Sequence, residues 1–185
     1  MKQNILPAIR LTLVCIIVFM VIYPAIIWAL AKAAPAKGEG ETVTANGKVV
    51  GYKLEGQSFT ADQYFNGRPS AAGYNAAGSS GSNKGPSNPD YLKEVQSRID
   101  SFLVHNPTVK KEDIPSDLVT ASGSGLDPDI SLNAALVQVD RIAKARNTSK
   151  EKIMTLVKNN IEKSVFNGIE KINVLKTNIE LDKLK

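Results

Sequence analysis

Cysteine and histidine are nearly absent: Cys15 and His105 are the single examples of each in 185 residues. One thiol excludes an intrachain disulfide, and one imidazole with one thiol excludes a Cys/His zinc site. Strong charge of either sign is missing as well. The formal net charge is +5, and Lys2 and Arg10 at the extreme N-terminus carry part of it. So mild a balance demands neither nucleic acid nor anionic lipid as a partner. No internal repeat is present. Long apolar runs are absent after the first fifth of the chain.

What is there is one such run, Leu11 to Ala31, reading LTLVCIIVFMVIYPAIIWALA between Arg10 and Lys32. It carries no charge and makes a helix of roughly 30 Å, the thickness of a hydrocarbon core. Ala29-Leu30-Ala31 has the form of a signal-peptide cleavage site. The run nevertheless exceeds the roughly 7–15 residues of a signal h-region, which favours an uncleaved anchor. Pro24 removes a backbone donor mid-span and should bend the helix, a feature membranes tolerate beside a neighbouring helix. Trp28 suits an interfacial position. The flanking cations tie in number, so orientation is poorly fixed by charge. The short tail places the N-terminus inside and the large domain outside. Cys15 falls within the anchor, leaving a domain without thiols, which fits export.

The expected layout is a tail over 1–10, a transmembrane helix over 11–31, a linker over 32–40 and one extracytoplasmic domain over 41–185. Asn46-Gly47 predicts a type I′ hairpin with strands near 41–45 and 48–54. Ala61–Phe65 suggests a turn of helix. Residues 67–89, GRPSAAGYNAAGSSGSNKGPSNP, carry no helix or strand period and form a long loop. Helical spacing returns from Asp90 to Leu103. A second helix starts with Ser131 as N-cap and runs through Ile142. A third starts at Thr148, with Glu151 completing a capping box. The segment Ile172–Leu184 is ambiguous by period. The fold class is α+β: one N-terminal transmembrane helix, then a compact domain with a small β-sheet and three to four helices.

Candidate chemistry is thin. Ser149 and Lys152 match the S-x-x-K pattern of serine acyltransferases but lack its companion motifs. They read better as an exposed helix cap, with a membrane-tethered hydrolase as the alternative function. Asn147-Thr148-Ser149 is a formal glycosylation sequon. Gly81-Ser82-Asn83-Lys84-Gly85 invites a phosphate-loop reading yet lacks the G-x-x-x-x-G-K-[ST] spacing. Asp127 and Asp129 flank Pro128 and suit a capped turn as well as a hard cation. His105 reads as a helix-end residue.

Four ordered stretches change this picture. They are Tyr64-Phe65-Asn66-Gly67-Arg68-Pro69-Ser70-Ala71, Gly81-Ser82-Asn83-Lys84-Gly85-Pro86-Ser87-Asn88-Pro89, Leu118 through Pro128 (LVTASGSGLDP), and Gln138 through Arg146 (QVDRIAKAR). Following one N-terminal anchor, and with the ending Asn173-Val174-Leu175 through Leu181-Asp182, they closely resemble the C subunit of the Kdp-type potassium-transporting ATPase. The resemblance covers nearly the whole chain. Asp140 departs from it, standing where a proline is usual, as does Glu55 where an apolar residue is usual.

The resemblance implies a non-catalytic accessory subunit of a bacterial potassium uptake pump, needed for assembly. Its implied partners are a potassium-channel-like subunit, a P-type ATPase subunit, a small membrane subunit and the lipid bilayer, with no nucleic acid. It implies the inner membrane, a single pass, and a periplasmic domain. It also implies a chaperone-like role that raises the ATPase subunit's affinity for nucleotide, with Gln138 as the contact to a shared ATP and no cofactor bound by this chain alone. That role conflicts with an external domain, because ATP is cytoplasmic. Pro24, Arg68, Asn83, Asp127 and Arg141 are then structural or interface candidates. Arg68 and Arg141 are suited to tie loop to helix through bidentate bonds.

Overall fold

The computed structural model describes residues 2–163 and 168–184. The chain divides into two compact units, Met1–Glu41 and Thr42–Lys185.

The first unit is helical: α1 (Lys2–Ile16), a π-helical segment (Ile17–Ile22) and α2 (Tyr23–Ala33) follow one another directly, with no loop between them. Asn4–Ala33 is the one helix among the described residues that is long and apolar enough to cross a membrane. The π segment ends at Ile22, and the next residue, Tyr23, which precedes Pro24, donates its N–H to the Val18 carbonyl, five residues back. Proline cannot supply the next i→i−4 donor, and widening the preceding turn lets the helix pass it. A 3₁₀ turn, Pro35–Gly38, follows α2. Gly38 sits where an added Cβ would lie 2.9 Å from the Ala31 methyl, and Lys32 Nζ lies 3.2 Å from Glu39 Oε1.

The second unit opens with an antiparallel hairpin, β1 (Thr42–Ala45) and β2 (Lys48–Tyr52). Asn46 and Gly47 turn it with φ of 51° and 75°, the positive pair that a type I′ turn requires. A bulge between Val43 and Thr44 leaves Val50 outside the register, and the Val50 carbonyl accepts from the Gln57 side chain at 3.0 Å.

A second sheet has the order β3 (Asp129–Ser131), β5 (Glu170–Asn173), β4 (Ile161–Lys163), all antiparallel. Around it lie α3 (Pro89–His105), α4 (Leu132–Leu136), α5 (Val139–Ala145), α6 (Lys150–Asn159) and α7 (Val174–Lys183). Apolar side chains recur at i, i+3 and i+4. Val139, Ile142 and Ala143 on α5, and Ile153, Leu156 and Val157 on α6, are buried with Ile130, Ile172 and Phe65. Each such large side chain contributes about 1.5–3 kcal/mol on burial.

The α+β reading holds, with corrections in detail. The domain carries two small sheets, because the hairpin does not join the other strands. The second helix is split into α4 and α5: the Gln138 N–H bonds to the Ala135 carbonyl, a tightened i→i−3 turn. Asp140 sits in the first turn of α5 and pairs with Lys150 at 2.7 Å. The third helix is capped by Ser149 rather than Thr148. Asn147, at φ 50°, and Thr148 still belong to the end of α5. Their N–H groups bond to the Lys144 and Ala143 carbonyls at 3.3 and 3.0 Å, the pair that defines a Schellman ending. Ala61–Phe65 is a bend and turn without helix. The ambiguous C-terminal stretch resolves into β5 and α7, divided at Asn173, which caps α7 through the Lys176 N–H at 3.0 Å.

Candidate functional site

Residues 62–66 run alongside α5 and α7 with no strand to pair with. Unpaired buried carbonyls are costly, and here side chains supply every donor. The Asp62 and Tyr64 carbonyls accept from Arg141 Nη1 at 2.6 and 3.1 Å. The Gln63 carbonyl accepts from Arg146 Nε at 2.7 Å. The Phe65 carbonyl accepts from Asn178 Nδ2 at 3.0 Å, and the Phe65 N–H donates back to Asn178 Oδ1 at 2.8 Å. The Asn66 carbonyl and N–H pair with the Gln138 amide at 3.3 and 2.8 Å. Asn178 and Gln138 thus serve as two single-residue stand-ins for a β-ladder. Between them Phe65 is fully buried in the core.

Gln138 spends its entire capacity in this way. Its Oε1 accepts from Asn66 N–H and from Arg141 Nη2 at 2.7 Å, and its Nε2 donates to Asn66 and to the Ala134 carbonyl at 2.9 Å. Arg141 likewise uses all three guanidinium nitrogens: the remaining bonds go from Nε to Asn106 Oδ1 at 3.1 Å and from Nη2 to Asn66 Oδ1 at 2.7 Å. Burial pulls the Arg141 pKa down from its ordinary value, and the Asp62 carboxylate, 3.9 Å from Nη1, pulls it back up. Asp62 in turn meets His105 Nδ1 at 2.8 Å, so the end of α3 closes the cluster. Arg146 stacks over the Tyr64 ring at 5.0 Å and pairs with Asp182 at 2.8 Å.

A second cluster joins the Gly-rich loop to residues 118–128. Arg68 Nη1 lies 3.0 Å from Asp127 Oδ2, while Asp127 Oδ1 accepts from the Asp129 N–H at 3.0 Å. Ser70 Oγ donates to the Gly125 carbonyl at 2.6 Å, Ser79 Oγ to the Ser124 carbonyl at 2.9 Å, and Ser122 N–H to the Pro69 carbonyl at 3.0 Å. Tyr74 donates its hydroxyl to the Arg68 carbonyl. Backbones approach so closely that a Cβ at Gly56 would stand 2.4 Å from the Asp127 carbonyl oxygen. The loop is built as a clasp. Its would-be phosphate lysine, Lys84, pairs with Glu94 and holds that carboxylate below its ordinary pKa.

The sequence candidates therefore separate. Gln138 and Arg141 share one buried network; Arg68 and Asp127 share the clasp. Asn83 is exposed on the loop at φ 53°. Pro24 belongs to the other unit. Asp129 is occupied by Lys171, and no group of three or more His, Cys, Asp and Glu side chains suited to a metal ion occurs among the described residues. Ser149 Oγ accepts from the Lys152 backbone N–H at 3.4 Å as a helix cap. Asn106, Asn178 and Arg146 join the network without being singled out by any motif in the sequence. Asn178 had a signal: it falls three residues after Leu175 and three before Leu181, on the face of α7 that should be apolar.

A family model described as K+-transporting ATPase, c chain, matches residues 5–183. The potassium-transporting ATPase KdpC subunit of Flavobacterium psychrophilum is 54% identical over 183 residues, spanning 99% of this chain and 100% of that protein. The KdpC subunit of Flavobacterium johnsoniae is 55% identical with the same coverage. That of Bacteroides fragilis is 50% identical over 188 residues, 99% of this chain and 98% of the relative. With a match over nearly its full length and relatives at half identity or better, the chain belongs to the KdpC family of potassium-transporting ATPase subunits.

Proposed function

We propose that this chain is a non-catalytic accessory subunit that assembles and stabilises a Kdp-type potassium pump. Its span shares the membrane with a channel-like subunit, a P-type ATPase subunit and a small membrane subunit, and its domain lies on the periplasmic side of a bacterial inner membrane. The observation that carries this reading is the fate of Gln138. The residue the resemblance offers for ATP is fully buried, and its amide is spent on Asn66, Ala134 and Arg141. A nucleotide contact at Gln138 would need those bonds broken and the Arg141 charge left short of an acceptor. A hydrolytic use of Ser149 finds equally little support, since that hydroxyl caps α6. In this reading the ATPase subunit alone holds ATP, and this chain binds no cofactor.

Topology and nucleotide dependence test the proposal together. In the assembled pump with Cys15→Ala, a Ser149→Cys variant should react with a membrane-impermeant maleimide in intact cells. Labelling only after permeabilisation would place the domain inside and restore the nucleotide role. In the purified pump, the KM for ATP should be the same with Gln138→Glu as with the parent chain. A rise in KM with unchanged assembly would overturn the structural assignment of Gln138.

A further inference from the structure

The hairpin that opens the domain exposes large apolar side chains on β2 and in the turn after it. Val49 is 63% exposed, Leu54 71%, Tyr52 42% and Val50 38%. A two-stranded sheet normally turns one face inward, but here the bulge at Val50 puts consecutive valines at the surface. Lys48 and Lys53 interleave with these residues. The hairpin is not loosely attached: Asn173 Nδ2 donates to the Lys53 carbonyl at 2.9 Å, and Gln57 grips the Val50 carbonyl. A firmly held apolar strand with a tyrosine and flanking lysines has the composition of a bilayer interface.

Chain length limits which surface can cover it. α2 ends at Ala33 and β1 begins at Thr42. The intervening residues reach at most about 30 Å even if fully extended. They are shortened by the Pro35–Gly38 turn and the Lys32–Glu39 pair. The tether therefore holds Thr42, where the hairpin begins, within about 30 Å of the end of α2.

We infer that the β1–β2 hairpin inserts Val49, Val50, Tyr52 and Leu54 into the headgroup boundary of the bilayer, giving the domain a second, non-covalent attachment beside its anchor. The inference rests on the anchor being in the membrane. Trp28, the one tryptophan, reports on that separately.

The test uses the full chain in nanodiscs of phosphatidylethanolamine and phosphatidylglycerol, with and without brominated acyl chains. Trp28 in the parent chain should be quenched; if it is not, the anchor reading itself fails. In a Trp28→Phe background, Leu54→Trp should lose about half its emission to bromolipid, as expected for a side chain some 5–10 Å into the interface. Glu112→Trp, on an exposed turn, should lose none. Equal emission at Leu54→Trp in both lipids, with Trp28 quenched, would overturn the inference. Quenching by lipid in the isolated chain that vanishes in the assembled pump would overturn it too, by assigning the patch to a protein partner.

Discussion

Arg141 Nη2 and Gln138 Oε1 meet at 2.7 Å, one helical turn apart and both buried. The pair fixes both side chains so that the remaining donors converge on residues 62–66. Removing Arg141 strands the Asp62 and Tyr64 carbonyls and the amide oxygens of Asn66 and Asn106. Arg141→Ala should cost about 3 kcal/mol or more of domain stability, since several buried acceptors lose their donor at roughly 1–3 kcal/mol each. Arg141→Lys should recover only part, since an ammonium has three donors where the guanidinium fork has five. Urea unfolding of the full chain in detergent, followed by circular dichroism, checks both.

Asn178 makes a sharper test because it acts on one peptide unit. Asn178→Asp keeps an acceptor for the Phe65 N–H but replaces the donor to the Phe65 carbonyl with a carboxylate oxygen. The loss should be about 1–3 kcal/mol. Leu175 and Leu181, on the same helix face, keep their packing. Hydrogen exchange should show faster exchange around Phe65 while the α6 amides stay protected in proportion to global stability. Unchanged local exchange would mean the asparagine does not hold the segment.

Much of this fold is readable from local chemistry. Asn46-Gly47 gives the hairpin, Ser131 the start of α4, and the spacing of Ile153, Leu156 and Val157 gives α6. Each signal lies within a few residues of what it determines. The network around residues 62–66 is different in kind. Gln138 lies 72 residues from Asn66, and Asn178 lies 113 from Phe65. Neither has a period that points to its partner. The split between α4 and α5 was hidden for the same reason, since the tightened turn serves a contact outside the helix. The Gly-rich stretch reads as a loop, but composition does not show that Ser70, Ser79 and Ser122 fasten it to residues 118–128.

Glycines in and against the clasp should be unequal. At Gly56 an added Cβ would stand 2.4 Å from the Asp127 carbonyl oxygen, and the Gly56 N–H already donates to the Leu126 carbonyl at 2.7 Å. Neither backbone can retreat without breaking that bond. Gly56→Ala should destabilise by about 1–3 kcal/mol through overpacking. At Gly85 nothing lies within 4 Å and φ is negative, so Gly85→Ala should be neutral or slightly stabilising, by up to about 1 kcal/mol, through the unfolded chain. Thermal unfolding of the two variants side by side decides whether the clasp is as tight as its geometry.

Tyr74 ties the clasp to alkaline pH. Burial raises the phenol above its ordinary 10.0, and the neighbouring Asp127 carboxylate raises it further. The unfolded chain then releases the proton first. Stability is therefore full below pH 10 and falls as pH rises from there through the folded-state pKa. Above that value the hydroxyl no longer donates to the Arg68 carbonyl, and the phenolate faces Asp127. Tyr74→Phe should flatten this alkaline slope while costing about 1 kcal/mol at neutral pH for the lost hydrogen bond. Urea midpoints measured across the alkaline range should fall less steeply in Tyr74→Phe than in the parent. The tyrosinate absorbance titration should lose a component that ionises above the ordinary phenol range. If the two proteins keep parallel slopes, the hydroxyl is solvated and the loop is held by Arg68, Ser70 and Ser122 without it.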